Sequence, residues 1–89
     1  MRAQGVERGI PDLLIIDRPP YARHYVGVAL ELKRQGGRDS DLRPEQRAWL
    51  ERFEALGWAA AVAFGADEAI GWLRGLGYGE GACEGGDDD

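Results

Sequence analysis

Two apolar runs near the start of the chain predict a pair of neighbouring β-strands. Residues 13–16 form the first run and residues 25–32 the second, whose predicted strand extends to Lys33. The polar turn between the two runs contains Pro19 and Pro20. Proline cannot donate to a β-ladder, so the first strand ends before this pair. The apolar density of the second run favours a central position in the sheet.

The second half of the chain predicts a helix, a third strand and a second helix. Pro44 suits the first position of a helix whose apolar side chains recur at helical spacing, and Gly57 suits its C-terminal end. Residues 58–64 are predicted as a strand and residues 66–76 as the second helix. Because a helix connects them, the third strand should run parallel to the second, by a right-handed crossover. This order predicts a small α/β domain with a mixed sheet flanked by helices.

Charged residues at the strand ends mark a candidate site. Asp12 lies at the entrance to the first strand, whereas Glu31 and Lys33 lie at the exit of the second and share one face of it. Two carboxylates can hold a hard cation such as Mg²⁺ and leave positions for water and a substrate phosphate. A lysine at the rim can orient the attacking water and offset charge on phosphorus. The alternative is a surface salt-bridge cluster on an unrelated small domain.

Gln46 is the polar member of an otherwise apolar helical stripe that continues with Trp49, Leu50, Phe53 and Leu56. A glutamine that faces a sheet needs hydrogen-bond partners, and the carboxylates, a metal-bound water or a phosphate would supply them. The alternative is a solvated residue in the first turn. For Trp49 and Phe53, a core position is favoured over a platform for stacked bases.

The order of these motifs resembles a known family. The motifs are Gly9-Ile10-Pro11-Asp12-Leu13-Leu14, Glu31-Leu32-Lys33 with Gly36-Gly37, Pro44-Glu45-Gln46 and Trp49-Leu50. They are similar to the VRR-NUC (virus-type replication-repair nuclease) domain of the PD-(D/E)XK nuclease superfamily. A Pro-Asp and a Glu-x-Lys alone are weak evidence, but the ordered set with its spacings is specific. The resemblance covers roughly residues 5–76 and implies a minimal restriction-endonuclease-like α/β core.

The resemblance also implies an activity and a set of site residues. It implies a DNA endonuclease that depends on Mg²⁺ or Mn²⁺, with catalytic roles for Asp12, Glu31, Lys33 and Gln46. Asp12 and Glu31 would hold the metal together with the backbone carbonyl of Leu32. Stand-alone relatives are implied to act as dimers on branched DNA, Holliday junctions in particular, in phage or repair settings.

The start of the chain departs from the family pattern. Longer relatives carry an N-terminal helix with a further acidic residue, and Glu7 is the only carboxylate before Asp12. Glu7 is therefore a candidate metal ligand. The departure leaves two alternatives open, a catalytically weak or inactive nuclease-fold module that binds DNA or a partner protein, and a chain that starts further upstream. A sheet this small does not bury both faces within one chain, which favours a homodimer.

Charge is unevenly distributed along the 89 residues. The net charge is −5, but five acidic residues and no basic one follow Gly77, and the rest of the chain is neutral. Residues 18–47 hold seven basic and four acidic side chains, a net charge of +3 around the candidate site. A basic rim suits phosphate contacts. The predicted DNA-binding residues are Arg34, Gln35, Arg38 and Arg43; an ordinary solvated loop is the alternative for residues 34–43.

Composition limits the class of protein and its cellular compartment further. A single cysteine, Cys83, excludes an internal disulfide framework and fits a reducing cytoplasm. No apolar stretch approaches the ~20 residues that span a bilayer, and no secretion signal opens the chain. We therefore expect a nuclease domain over residues 1–76 and an acidic, glycine-rich, disordered tail over residues 77–89. The only histidine, His24, is expected in an exposed turn.

Overall fold

The computed structural model describes residues 9–79, so Glu7, Cys83 and the tail from residue 80 lie outside the described residues. The elements are strand β1 (Leu13–Ile15), strand β2 (Val28–Lys33), a 3₁₀ turn (Asp39–Asp41), helix α1 (Pro44–Ala55), strand β3 (Ala59–Phe64) and helix α2 (Ala66–Gly75). The sheet order is β1-β2-β3, with β1 antiparallel and β3 parallel to β2. This confirms the predicted α/β class, the small mixed sheet and the parallel third strand.

The predicted start of β2 was wrong by three residues, because the strand begins at Val28 rather than at Tyr25, whereas the other predicted strand and helix ends agree within one residue. The Tyr25 N–H donates to the Ala22 carbonyl at 3.1 Å and closes a turn, and the Val26 N–H donates to the Gly57 carbonyl at 3.0 Å. These backbone groups are used outside the ladder, so the strand starts only after them. Within residues 9–79, no helix is long and apolar enough to cross a membrane.

Side-chain alternation along β2 divides the core into two clusters. Val28 and Leu30 are fully buried against Ala69 of α2 and the small residues of β3. Ala29 points the other way and packs with Leu42 and with Leu50 of α1. Glu31 and Lys33 follow Ala29 at alternate positions, so they lie on the α1 face of the sheet.

The outer edge of β3 is partly closed by a side chain of α2. The N–H of Ala59 donates to the Gly27 carbonyl and the N–H of Gly65 donates to the Lys33 carbonyl, both at 2.9 Å and both toward β2. Backbone groups at the intervening positions therefore face away from β2. One of them, the Phe64 N–H, donates to Glu68 Oε1 at 2.7 Å. The last residue of the strand is thus tied to the first turn of α2.

The folded region extends past Leu76, the expected end of the domain. The Leu76 carbonyl accepts from the Tyr21 N–H at 2.9 Å, and Gly77 is buried with a φ of 101°. Tyr78 packs against the α2-side core, and its hydroxyl donates to the Asp17 carbonyl at 2.6 Å. The segment after α2 therefore closes over the turn that follows β1.

We expect Tyr78→Phe to lower the free energy of unfolding by about 1 kcal/mol, the usual worth of one such hydrogen bond. Burial, and then the charge of Asp17, raise the pKa of the Tyr78 hydroxyl above its usual 10. A raised pKa favours the protonated folded form, so this stability is lost as the pH rises through the folded-state pKa. Urea unfolding at neutral and alkaline pH measures both effects. A variant with the stability of the native protein and the same alkaline decline would contradict the assignment.

Candidate active site

Asp12 and Glu31 meet at the point where the β1–β2 ladder ends. Leu13 pairs with Leu30, and the same register places Asp12 opposite Glu31 on the α1 face. The N–H of Leu32 donates to Asp12 Oδ2 at 3.0 Å. The side chain of Asp12 thus takes a ladder hydrogen bond beyond the end of β1, and this bond fixes the direction of the carboxylate.

The Glu31 carboxylate is buried and only half satisfied. The residue is 3% exposed, and its Oε2 accepts from Gln46 Nε2 at 2.9 Å. Its other oxygen, Oε1, is buried without a hydrogen-bond partner. Burial raises the pKa of Glu31 first and the nearby charge of Asp12 raises it further, whereas Lys33 lowers it. A buried acceptor without a donor is costly, so this oxygen needs a cation, a proton or a donor from a ligand.

Gln46 uses its whole amide to join three parts of the site. Its Oε1 accepts from Lys33 Nζ at 2.9 Å and from the Arg43 backbone N–H at 2.8 Å. Its Nε2 donates to Glu31, and Lys33 Nζ lies 3.8 Å from Glu31 Oε2. Because lysine only donates and an ionised carboxylate only accepts, these partners fix which end of the amide faces which group. Gln46 is 7% exposed, and its position is therefore not that of a solvated first-turn residue.

The oxygens left over form a set that suits a hard cation. Asp12 and Glu31 each use one carboxylate oxygen in a hydrogen bond and keep the other. The Lys33 carbonyl bonds toward β3, and successive carbonyls alternate along a strand, so the Leu32 carbonyl is directed toward β1 and Asp12. Two carboxylates and a carbonyl are oxygen ligands of the kind that Mg²⁺ and Mn²⁺ prefer. Among residues 9–79, no group of three or more histidine, cysteine, aspartate or glutamate residues is placed so that it could hold a metal ion.

The predicted DNA-binding residues lie around this site with exposed side chains. Arg34 and Gln35 follow Lys33 directly, and the Arg38 backbone N–H donates to Asp41 Oδ2 at 3.0 Å at the start of the 3₁₀ turn. Arg43 precedes α1 and contributes its backbone N–H to Gln46. Within the described part of the chain, none of these arginines forms an ion pair. Their guanidinium groups are therefore open to an anionic partner.

Sequence reasoning missed the role of Gly65 beside the site. Its N–H holds the Lys33 carbonyl, its φ is 99°, and a Cβ at this position would lie 3.1 Å from Cβ of Gln35. The only available signal was a glycine between a predicted strand and a predicted helix.

The only histidine, His24, lies away from the candidate site in the sequence and is exposed, as expected. Its ring contacts that of Tyr25, with the ring centroids 4.1 Å apart.

Comparison with known proteins identifies the family. The family model of the VRR-NUC domain matches residues 1–67, and the chain belongs to this nuclease-type family. A solved structure described as "VRR_NUC domain protein" is 32% identical, with a TM-score of 0.70. The match covers 83% of this chain and 57% of that chain, so this chain spans little more than half of the solved one. None of the curated proteins matches.

Proposed function

We propose that the chain is a divalent-metal-dependent DNA endonuclease that hydrolyses phosphodiester bonds. The observation that carries the proposal is the unpartnered, buried Oε1 of Glu31 beside the carboxylate of Asp12. A surface salt-bridge cluster does not account for it, because burial and like-charge repulsion both disfavour the ionised pair. A bound cation compensates both costs, and membership of a nuclease-type family agrees with that need.

Asp12, Glu31 and the Leu32 carbonyl would hold Mg²⁺ or Mn²⁺. When bound, the ion would polarise the phosphate and lower the pKa of a water molecule. The carboxylates are prepared for this task because each is fixed through its other oxygen, Asp12 by the Leu32 N–H and Glu31 by Gln46. Ligands held in place in this way lose little freedom on binding. Glu7, outside the described residues, remains a candidate fourth ligand.

Lys33 and Gln46 supply the polar groups beside the metal ligands. The Lys33 ammonium is held by Gln46 and faces Glu31, so its charge is directed toward the place where a phosphate would lie beside the carboxylates. There it orients water and offsets the negative charge that develops on the phosphate oxygens. Gln46 keeps the ammonium in this position through an amide whose other bonds are to Glu31 and α1.

We further propose that the substrate is branched DNA, Holliday junctions in particular. The enzyme would cut this DNA as a homodimer in the host cytoplasm. Arg34, Gln35, Arg38 and Arg43 would contact phosphates around the site. Two apolar side chains of the β1 region support a dimer, since Leu14 is 42% and Ile16 81% exposed. A two-fold dimer presents two equal sites, which suits a substrate with two equivalent strands.

We expect the chain to cut labelled DNA with Mg²⁺ or Mn²⁺ and Asp12→Asn to reduce cutting by about 10²–10³-fold, the loss typical of one preorganised electrostatic group. Linear duplex, single-stranded, flap and four-way-junction DNA are compared in the same assay. Asparagine retains an oxygen for the Leu32 N–H, so the fold is maintained. Asp67→Asn, on the exposed first turn of α2, is the matched control and should cut normally.

The second candidate function is a nuclease-fold module that binds DNA or a partner protein without cutting. It is favoured by the small ligand set, since the described residues supply only two carboxylates to the site. Calorimetric titration with Mn²⁺ separates the candidates. The enzyme requires Mn²⁺ binding that Asp12→Asn removes. Folded protein that binds DNA but neither binds Mn²⁺ nor cuts any substrate would leave the module as the function.

A further inference from the structure

Gly9 lies against the first turn of α1, far away in sequence. A methyl group built on Gly9 would lie 2.7 Å from the carbonyl carbon of Glu45 and 2.8 Å from the backbone nitrogen of Gln46. Both are backbone atoms, which cannot rotate away as the end of a side chain can. Gly9 also has a φ of 84°, a conformation that glycine adopts at no steric cost. Glycine is therefore required here both for its conformation and for the close approach.

The turn that Gly9 touches is the one that holds the polar network of the site. Gln46 receives the Arg43 backbone N–H and the Lys33 ammonium on the same oxygen, at 2.8 and 2.9 Å. A displacement of this turn by a few tenths of an ångström is therefore passed directly to Lys33, and through Nε2 to Glu31. Hydrogen bonds weaken quickly when their length and angle leave the preferred range.

The same glycine also begins the short segment that leads to Asp12. Pro11 lies between them, with its φ fixed by the ring, and is buried. The segment from Gly9 to Asp12 thus joins the first turn of α1 to the start of β1. Its contact with the helix sets the separation between the element that carries Asp12 and the element that carries Gln46.

We propose that Gly9 is a positioning residue: its missing side chain lets the entry to β1 rest on α1, which places Gln46 and, through Gln46, the Lys33 ammonium. The consequence for cleavage rests on the proposed nuclease function, whereas the consequence for Lys33 does not. The atoms nearest to a methyl group on Gly9 all belong to the backbone of α1, so Gly9 acts through the position of this helix.

The test compares Gly9→Ala with Gly57→Ala. Gly57 has a similar φ of 97°, but a Cβ there would lie 3.9 Å from Val26 Cγ1, which is an ordinary contact. The two variants share the conformational strain and differ in the clash with α1. Lys33 is the only lysine in the sequence, so protein labelled with ¹³C-lysine gives one side-chain Cε signal by NMR. We expect Gly9→Ala to shift this signal and Gly57→Ala to leave it unchanged.

In the cleavage assay, we expect Gly9→Ala to lower kcat by about 10–100-fold with KM for DNA nearly constant, the scale seen when residues that orient ligands are changed. In a Gln46→Ala background the same change should add little, because the route through Gln46 is already lost. An unshifted Lys33 signal, or an equal loss of kcat with and without Gln46, would overturn the proposal. A native protein that does not cut defeats the nuclease assignment alone, since the Lys33 signal still tests Gly9. Should Gly9→Ala fold poorly, the NMR comparison is made in a Glu31→Gln background. We expect this background to be more stable because it removes the repulsion between Glu31 and Asp12.

Discussion

Glu31→Gln should make the domain more stable while it removes metal-dependent cleavage by about 10³-fold or more. Glutamine can still accept the hydrogen bond from Gln46 Nε2, and its own amide nitrogen can donate toward Asp12. In the native protein, two carboxylates repel each other at this place. We expect a gain of about 1 kcal/mol, which raises the Tm of a domain of this size by about 4–8 °C. Metal binding is lost because the neutral amide is a poor ligand for a hard cation.

The pH dependence of this effect has a definite sign. The pKa of Glu31 is raised in the folded state, so the folded protein binds the proton more tightly than the unfolded chain does. The associated stability is complete below the ordinary pKa of 4.5 and is lost as the pH rises through the raised pKa. Glu31→Gln resembles the protonated form at every pH, so its advantage should be largest at neutral pH without metal.

Thermal unfolding of the metal-free native protein and of Glu31→Gln, from acidic to neutral pH, measures the difference in their stability. The matched control is Glu54→Gln, which makes the same substitution on an exposed position of α1 and should change neither Tm nor cleavage. A Glu31→Gln protein that is less stable than the native one at neutral pH would show that the buried carboxylate is already well compensated. In that case Oε1 of Glu31 would not need a cation.

Lys33→Met should lower kcat by about 10²–10³-fold and leave a divalent-metal site. Methionine retains much of the apolar stem of lysine but lacks the ammonium that Gln46 holds and that faces Glu31. The Lys33 charge lowers the pKa of Glu31, so its removal should raise that pKa further. The acid limb of Mn²⁺ binding should therefore move to higher pH in the variant, because the proton competes with the ion for Glu31.

Calorimetric titration with Mn²⁺ at a series of pH values from acidic to neutral, together with the cleavage assay, tests both parts. Arg74→Met, which removes an exposed cation from the last turn of α2, is the control for net charge. Normal cutting by Lys33→Met would show that Lys33 is not a catalytic residue. An acid limb that does not move would mean that its ammonium does not influence Glu31.

The regular part of the fold could be predicted because each element carries its own local pattern. The alternation in β2 correctly assigned Glu31 and Lys33 to one face, and Gln46 was recognisable as a polar residue in an apolar stripe. The start of β2 could not be predicted, since Tyr25 and Val26 are as apolar as the strand itself. Their backbone groups are taken by Ala22 and Gly57, partners that composition does not reveal.

The detailed site depends on contacts between distant parts of the chain, and sequence patterns do not contain them. The spacing of the motifs indicated that Asp12 and Glu31 should be close, but not which oxygen of each would stay unpartnered. A glycine shortly before a predicted strand indicates only the entry to that strand, and nothing in Gly9-Ile10-Pro11-Asp12 points to a helix 35 residues further along. The contact of Gly9 with α1 follows from how the helix packs across the sheet, and packing of this kind is decided by the whole domain.

The hydrogen bond from the Phe64 N–H to Glu68 has a consequence for the behaviour of this protein at high concentration. Strand β3 is rich in alanine, with Val62 and Phe64, and its outward backbone groups offer a template for strands of other molecules. Glu68 accepts the hydrogen bond of the edge N–H group nearest Lys33 and places a negative charge beside it. The Glu68 side chain therefore protects this end of the sheet against edge-to-edge aggregation.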